Sequence, residues 1–596
     1  MEKLKFLQDS DLPQPLPSAD GCYRFGPFEL DTGRHQLLCE GAPVRLQPKS
    51  FELLSLFVRN RDRLVTKEYL MQSLWPDTFV EEANLANLIA ALRKTLGDSP
   101  AQSRYIQTVP KLGYRFLPGA PTLRLVTPDE NIPPHAESPI RLIVFPFRGD
   151  DPDHLSYAFA DDISAALAEL NTFVVRSVQL ATSFDPVHWN PKDVAENALV
   201  DFIVAGTLAV SYQSIRVVLQ LIEAQTGTLR LSRSWDLKKN EMAMVRQAVV
   251  HVIIQALVRQ PSVDPLRIAS SETLTHGEAY KAYLMANQLS ATRTVENMSL
   301  ARDLYVECLE KDPQFAPAWA RLGRCNHFLR KFRPAQYEEA DATLRAFDRA
   351  FSLDPNLVLA HALYTPIQAD AGEAQSAILR LSRALKAHPN SPELFSGLVH
   401  ACRYCGQHQA SIQAHNRAIA LDPHVHTSVA HTYFALGDFD RALFWYGNSA
   451  GLYLDALALA SQERTAEALA ILSTRRHRFH SAPGAMYSLD AYLRGDREAG
   501  IAHLREAAES PMYEPEMRFY MARQAAKFEE LDLAIALLAR SLAGGYSSSV
   551  TLQQDTWFAS IRHTSEFEGI FRKMQAREED ARLALMRDAD LNWVRS

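Results

Sequence analysis

The sequence predicts a multidomain chain: a small α+β domain near the N-terminus, then an α/β module, then an all-α repeat array. Three observations carry that prediction. The 596 residues exceed what a single hydrophobic core serves, so three or four domains are expected. Before residue 117, short apolar runs cut by turn residues give way to three amphipathic stretches and then to two more short runs. Further on, a step ending in proline recurs at Asp312-Pro313, Asp354-Pro355, His388-Pro389 and Asp422-Pro423, and the last three prolines stand 34 residues apart. A period of that length marks stacked two-helix units.

Composition narrows the class. With 47% hydrophobic and 22% charged residues the chain is ordinary for a soluble globular protein. The net charge of -7 does not point to nucleic acid, but it is unevenly placed. Residues 41–117 carry 11 Lys+Arg against 7 Asp+Glu, which leaves the excess of acid to the remainder. A mildly basic module in an acidic chain fits one DNA-facing part. Six cysteines make no disulfide framework, and Cys22, Cys39, Cys308 and Cys325 are far apart, so a reducing, cytoplasmic setting is expected. The opening MEKLKFLQDSDLP has no apolar core of a signal peptide. No run approaches a membrane span; the best candidate, Val249 to Val258, contains His251 and Gln255 and reads as a buried helix.

The N-terminal elements follow in order. Residues 1–20 are polar and read as a loose tail. From Tyr23 to Leu46, Gly26-Pro27, Asp31-Thr32-Gly33 and Glu40-Gly41 punctuate a small antiparallel sheet. Pro48 opens a helix with Phe51, Leu54 and Phe57 on one face. Thr66 caps a second helix, which carries Leu70 and Leu74 and stops at Trp75-Pro76. A third helix runs from about Glu81 to Leu96, with Leu85, Leu88, Ile89, Leu92 and Leu96 on its apolar face, and Gly97 ends it. Tyr105 to Val109 and Tyr114 to Phe116 then make a hairpin around Pro110-Lys111-Leu112-Gly113.

Sheet, three helices and terminal hairpin are the order of a winged helix. The segments VEEANLANLIAALRKTLGD and YIQTVPKLGYRF closely resemble the OmpR/PhoB-type winged-helix domain of bacterial transcription regulators. The resemblance covers residues 21–118, and its pattern is specific because recognition helix and wing must agree in spacing.

Residues 119–139 are Pro-rich and polar and read as a linker. An α/β module is expected over 140–262. It contains a strand at Arg141–Phe147, a helix at Leu155–Leu170, strands at Val200–Leu208, Ser214–Ala224 and Leu229–Leu237, and a helix from Glu241 to Val258. Its VFPF, YAFADDISAALAEL and DFIVAGTL segments resemble the TolB-N-like module that precedes repeats in many bacterial regulators. The resemblance implies no particular ligand.

Over residues 275–580 the proline period is accompanied by Ala350, Ala384 and Ala418, each five before its proline, and by Gly372 and Gly406, each seventeen before. Small residues let two helices pack closely, and proline ends the second. The pattern resembles tetratricopeptide repeats. It weakens but continues at Leu436–Ala442, Leu493–Asp496 and Leu531–Ala534, giving roughly six to eight helix pairs.

Candidate DNA contacts fall on the third helix and the wing. Opposite the apolar face stand Asn84, Asn87, Ala91 and Lys94. Asn can pair with adenine N6 and N7 in the major groove, and Ala83, Ala86, Ala90 and Ala91 let the helix approach and meet thymine methyls. In the family that the motif resembles, basic residues at the places of Arg93 and Lys94 touch phosphate or pin the helix. Lys111 and Arg115 could reach phosphates or the minor groove from the wing, with Gly113 permitting the turn. Tyr114 is either a contact or a core residue. Lys49, Arg63 and Thr66 are candidate backbone contacts at helix starts. Without the domain around it, the third helix would read as an ordinary solvated surface helix.

Two other features read more simply as structure. Cys402-Arg-Tyr-Cys405, with His400 and His408 nearby, is a lone CxxC on a repeat's first helix, where small apolar residues serve packing. The run Arg475-Arg-His-Arg-Phe-His480 reads as a solvated face. The sequence has no GxxxxGK[ST], HExxH, GxSxG or kinase signature, and no catalytic residue, cofactor or metal is expected.

The functional expectation is a sequence-specific DNA-binding transcription regulator, with input through the α/β module and repeats. With about 20 residues before the winged helix, no receiver domain is expected upstream. The layout resembles HilA-type regulators more than CadC-type ones, whose linker region contains a membrane span. Expected partners are double-stranded DNA, RNA polymerase or a regulatory protein, and a second copy as a homodimer. The alternatives are a repeat scaffold that merely retains a winged helix, and an enzyme with an unrecognised α/β site.

Overall fold

Periodicity in the first 116 residues builds a small sheet, three helices and a hairpin. The computed structural model describes residues 22–25, 28–31, 36–39, 42–44, 46, 48–59, 64–74, 82–96, 98, 103, 105–109, 113–116, 122–124, 139–149, 155–185, 188–211, 214–238, 241–258, 277–332, 340–447, 453–475, 483–510 and 514–587. The chain divides into two compact units, residues 1–136 and 137–596.

In the first unit, β1 (Cys22–Phe25), β2 (Phe28–Asp31), β3 (Gln36–Cys39) and β4 (Ala42–Val44) form a meander of antiparallel strands. A further strand, β8 (Thr122–Arg124), pairs with β1 and makes the order β4-β3-β2-β1-β8. It lies inside the stretch that composition alone reads as linker. Helices α1 (Pro48–Arg59), α2 (Lys67–Leu74) and α3 (Glu82–Leu96) follow. The second sheet is β5 (Leu64–Thr66), β7 (Gly113–Phe116) and β6 (Ile106–Val109), in the order β5-β7-β6. Strand β5 has no signal of its own: three residues that end on the helix cap Thr66 are too short for an alternating pattern. A Cβ on Gly113 would stand 2.1 Å from the Val65 carbonyl oxygen, so only glycine lets β7 come this close to β5. Phe57, Leu85, Ile89, Leu92 and Phe116 belong to one core, each at most 2% exposed.

The second unit opens with a five-stranded mixed sheet: β9 (Ile140–Val144), β10 (Phe173–Arg176), β11 (Phe202–Val210), β12 (Ser214–Glu223) and β13 (Leu229–Lys238), in the order β10-β9-β11-β12-β13. The first three neighbours run parallel, and β11, β12 and β13 form an antiparallel meander. Helices α4 (Ser156–Ala168) and α7 (Met242–Leu257) pack with one face, while α5 (Val178–Ala181) and α6 (Pro191–Ala198) contribute to a separate core on the other. Strand β10 and the two short helices are additions to the sequence reading.

Paired helices then run to the end of the described chain: α8 (Gly277–Ala291) with α9 (Val295–Lys311), α10 (Ala316–Phe332) with α11 (Ala340–Leu353), α12 (Val358–Asp370) with α13 (Ala374–Ala387) and α14 (Pro392–Tyr404) with α15 (His408–Leu421). The less regular pairs are α16 (Val429–Ala435) with α17 (Phe439–Tyr446), α18 (Leu454–Ser461) with α19 (Thr465–Arg475), α20 (Pro483–Leu493) with α21 (Arg497–Glu509) and α22 (Pro515–Lys527) with α23 (Leu531–Ala543). Gly372, Gly406, Gly437 and Gly495 take left-handed φ between the helices of a pair, and Glu463 and Glu529 hold the same place with φ of 61°. Helices α24 (Ser549–Gln554) and α25 (Ser565–Arg587) finish the array. Among the described residues no helix is long and apolar enough to cross a membrane.

Two features of this unit depart from a free-standing solenoid. The module and the first repeats share one core, in which Leu142, Phe159, Val249, Tyr280, Tyr305 and Phe315 all belong to a single buried cluster. Asp162 ties them further: its Oδ2 accepts hydrogen bonds from Arg246 and from the Tyr280 hydroxyl, each at 2.6 Å. The array also folds back on itself. Arg403 on α14 pairs with Glu516 on α22 at 2.8 Å, both almost wholly buried, and the Ser547 N–H donates to the Tyr404 carbonyl. From α25, Arg577 donates to the Gly372 carbonyl oxygen at 2.7 Å.

Candidate nucleic-acid interface

Helix α3 is amphipathic for a plain reason. Leu85, Ile89, Leu92 and Leu96 recur at three- and four-residue steps, so one face turns to the core. Burying each such side chain stabilises the helix by about 1.5–3 kcal/mol. The other face stays in solvent: Asn84, Ala86, Asn87, Ala90, Ala91 and Lys94 are all exposed. The Asp98 N–H donates to the Arg93 carbonyl at 2.9 Å, closing the helix end with the backbone bond of a Schellman turn.

Of the two roles expected at Arg93, phosphate contact or pinning of the helix, the structure shows the second. It is 8% exposed, and its Nη2 donates to the Ile106 carbonyl and to Thr108 Oγ1, both at 2.8 Å. The guanidinium is buried and clamps the helix to the hairpin. Asp98 does the same from the helix end, its Oδ2 accepting from the backbone N–H groups of Ile106 and Tyr105 at 2.8 and 3.2 Å. Asp98 and Thr108 escape the sequence reading because their partners belong to a different element.

Tyr114, expected as either a contact or a core residue, takes the core place. It is 8% exposed and lies edge-on to Phe57, with centroids 6.4 Å apart, so packing claims the ring. Arg115 is half-buried and stands across from Gln107 on one side and Leu64 on the other. Thr66 is exposed, and its Oγ1 accepts from the Tyr69 N–H at 3.2 Å as a helix cap. Lys49 donates to Glu52 at 2.7 Å and to the Leu74 carbonyl at 2.9 Å, which ties α1 to the end of α2. Arg63 and Lys111 lie outside the described residues.

The structure therefore brings together, on one exposed face, Asn84, Asn87, Ala91 and Lys94, and sets them on a helix fixed by Arg93 and Asp98. The alanines between them keep that face low, so the helix backbone can enter a groove about 12 Å wide. Lys94 lies in the last turn, where the helix dipole favours a cation.

Elsewhere, Cys402 and Cys405 are buried on and just after α14, and burial pushes the Cys405 thiol up to about 12, so both stay protonated at neutral pH. No group of three or more metal-ligating side chains occurs among the described residues. Arg475 is bound by both oxygens of Asp455 at 2.6 Å, and residues 476–480 of that basic run lie outside the described residues.

Comparison with known proteins places this geometry. Residues 41–116 match the family model for the C-terminal domain of transcriptional regulatory proteins. Over 416 residues the chain is 21% identical to the transcriptional regulator HilA of Salmonella typhi, covering 69% of this chain and 72% of that regulator. Over 98 residues it is 31% identical to the sensory transduction protein RegX3 of Mycolicibacterium smegmatis, covering 16% of this chain and 43% of that protein. Among solved structures, the RstA DNA-binding domain of Klebsiella pneumoniae in complex with its RstA box is 25% identical, covering 16% of this chain and 98% of that domain, with a TM-score of 0.16. The chain thus carries an OmpR/PhoB-type winged helix ahead of an α/β module and a helical-repeat region.

Proposed function

We infer that this chain is a DNA-binding transcription regulator that reads its operator with α3. The family match over residues 41–116 and the similarity to transcription regulators, one of them along most of its length, favour this over a repeat scaffold with an idle winged helix. The observation that carries the reading is the exposed face of Asn84, Asn87, Ala91 and Lys94 on a helix clamped by a buried arginine. Asn84 and Asn87 read base edges; Lys94 and Arg115 bind phosphates and set position. Thr66 and Lys49 border the surface as backbone contacts, Lys49 the weaker of the two because its ammonium is already engaged.

The regulator acts in the cytoplasm and answers to a signal received by the second unit. A lone winged helix buries little surface on DNA, so two copies on adjacent half-sites, or a copy beside RNA polymerase, supply the affinity. Mapping the sites bound in cells, followed by mobility shifts on the recovered operator with full-length protein, tests the reading. Binding that does not distinguish the recovered sites from random DNA would leave the scaffold reading in its place.

A further inference from the structure

The α/β module packs onto the repeats without filling their inner face. A cavity of about 730 Å³ remains between them. One wall is α4 with the end of β10, where Asp161, Glu169 and Arg176 stand. The opposite wall is α14, whose residues 393, 396, 397 and 400 recur at helical spacing and turn one face inward. Trp445, 38% exposed, lines it from α17. The size suits a small organic molecule; such sites run from about 300 to 1,000 Å³.

Among the fixed charges of the lining, Asp161, Glu169, Glu393 and Asp422 outnumber two arginines, Arg176 and Arg321. Four histidines, His400, His424, His426 and His431, also line it, and burial lowers His400 to about 3, which keeps that ring neutral at pH 7. Both arginines are already used. Arg176 lies 2.8 Å from Asp422 and donates to the carbonyls of Ala198 and Leu199, and Arg321 pairs with Asp161 at 3.2 Å and donates to the Tyr283 hydroxyl. Glu169 accepts the Val358 N–H at 3.0 Å. Glu393 accepts the Ser391 hydroxyl at 2.9 Å, and no Lys or Arg among the described residues pairs with it. Burial pushes its carboxyl up, and the nearby Asp422 adds to the effect. Glu393 is half-buried, and a partly desolvated carboxylate without a cation carries a cost that an arriving cation removes.

We propose that this cavity binds a small organic cation, an amine or guanidine, with its charge beside Glu393 and its carbon frame on the side lined by Trp445. The indole offers that frame an apolar surface while leaving the charge to the carboxylate. An occupant touches both the module and the repeats, so binding stabilises their junction. The proposal stands apart from the DNA reading and can fail without it.

The test uses full-length protein and two probes, agmatine and phenethylamine, with 1,4-butanediol and glutarate as uncharged and anionic controls. Calorimetric titration and thermal melting are expected to show saturable binding of at least one cationic probe and none of the controls. Glu393→Gln keeps the Ser391 hydrogen bond and should weaken that probe about tenfold or more, and Trp445→Ala, at a half-exposed ring, severalfold. Should Glu393→Gln disturb the unliganded melting, Trp445→Ala carries the comparison. Failure of both cations to bind, equal affinity in both variants, or binding of glutarate in their place would overturn the proposal.

Discussion

Replacing Arg93 by methionine separates two roles that an arginine on a recognition helix could play. Methionine keeps most of the apolar stem and removes the two hydrogen bonds to the Ile106 carbonyl and Thr108 Oγ1. A hydrogen bond to a charged group contributes about 1.5–3 kcal/mol. Two of them, offset partly because a buried guanidinium no longer needs desolvating, give a loss of about 3 kcal/mol for the winged helix. For a domain of roughly 100 residues that is a fall of about 10–20 °C in melting temperature. Calorimetry on the full chain should show the transition of residues 1–136 moving down by that amount. Hydrogen exchange should quicken at the amides of 106–109 and 113–116. Operator and random DNA should be weakened together, with an unchanged dependence on salt, because no phosphate contact is lost. If Arg93 instead reached phosphate, melting would stay put and the salt slope would drop by about 0.9. That outcome would refute the clamp.

Four further outcomes follow from the same geometry. Asn84→Ala and Asn87→Ala should each cost about 1–3 kcal/mol of specificity at the operator, read as the ratio of specific to random affinity, with melting unaltered. Lys94→Ala and Arg115→Ala should weaken all sequences alike and lower the salt slope by about one unit each, measured by titration at several salt concentrations. Residues 1–136 should prefer the operator but bind it less tightly than the full chain, while a fragment cut at 120 loses β8 beside β1 and should melt lower. Breaking the fold-back by Glu516→Gln should cost about 3–5 kcal/mol. Burial works against the charge of Glu516, but Arg403 and His431 beside it hold the carboxyl well below its ordinary 4.5. The ion pair therefore stabilises fully above about pH 4.5 and is lost as the pH falls through the lowered value, so acid melting curves of Glu516→Gln should be flatter in that range.

How much of this was legible in the sequence depended on how far each cause reaches along the chain. The face of α3, the cap at Thr66 and the 34-residue period rest on neighbours within a few residues, and their patterns are visible in the residues themselves. The repeat signal fades after Pro423 for a local reason too: Glu463 and Glu529 take the left-handed turn that glycine holds elsewhere, so the turn persists where its marker is gone.

Arg93 and Lys94 are adjacent and chemically alike, and composition offers the same role to both. Only the hairpin, with acceptors at Ile106 and Thr108, decides that one is buried as a clamp and the other left to solvent. Tyr114 is settled in the same way, by Phe57 from another element. The sequence by itself determined the order of domains, the helices and the solvent-facing side of α3, because periodicity and turn chemistry act locally. The tertiary structure alone decided that the module shares a core with the first repeats, that α14 closes on α22 through Arg403 and Glu516, and that a cavity lined by Glu393 lies between the module and the repeats. The physical reason is that a solenoid's path is the sum of small rotations between neighbouring helices. No single repeat carries that sum, so it can be read only once they are packed.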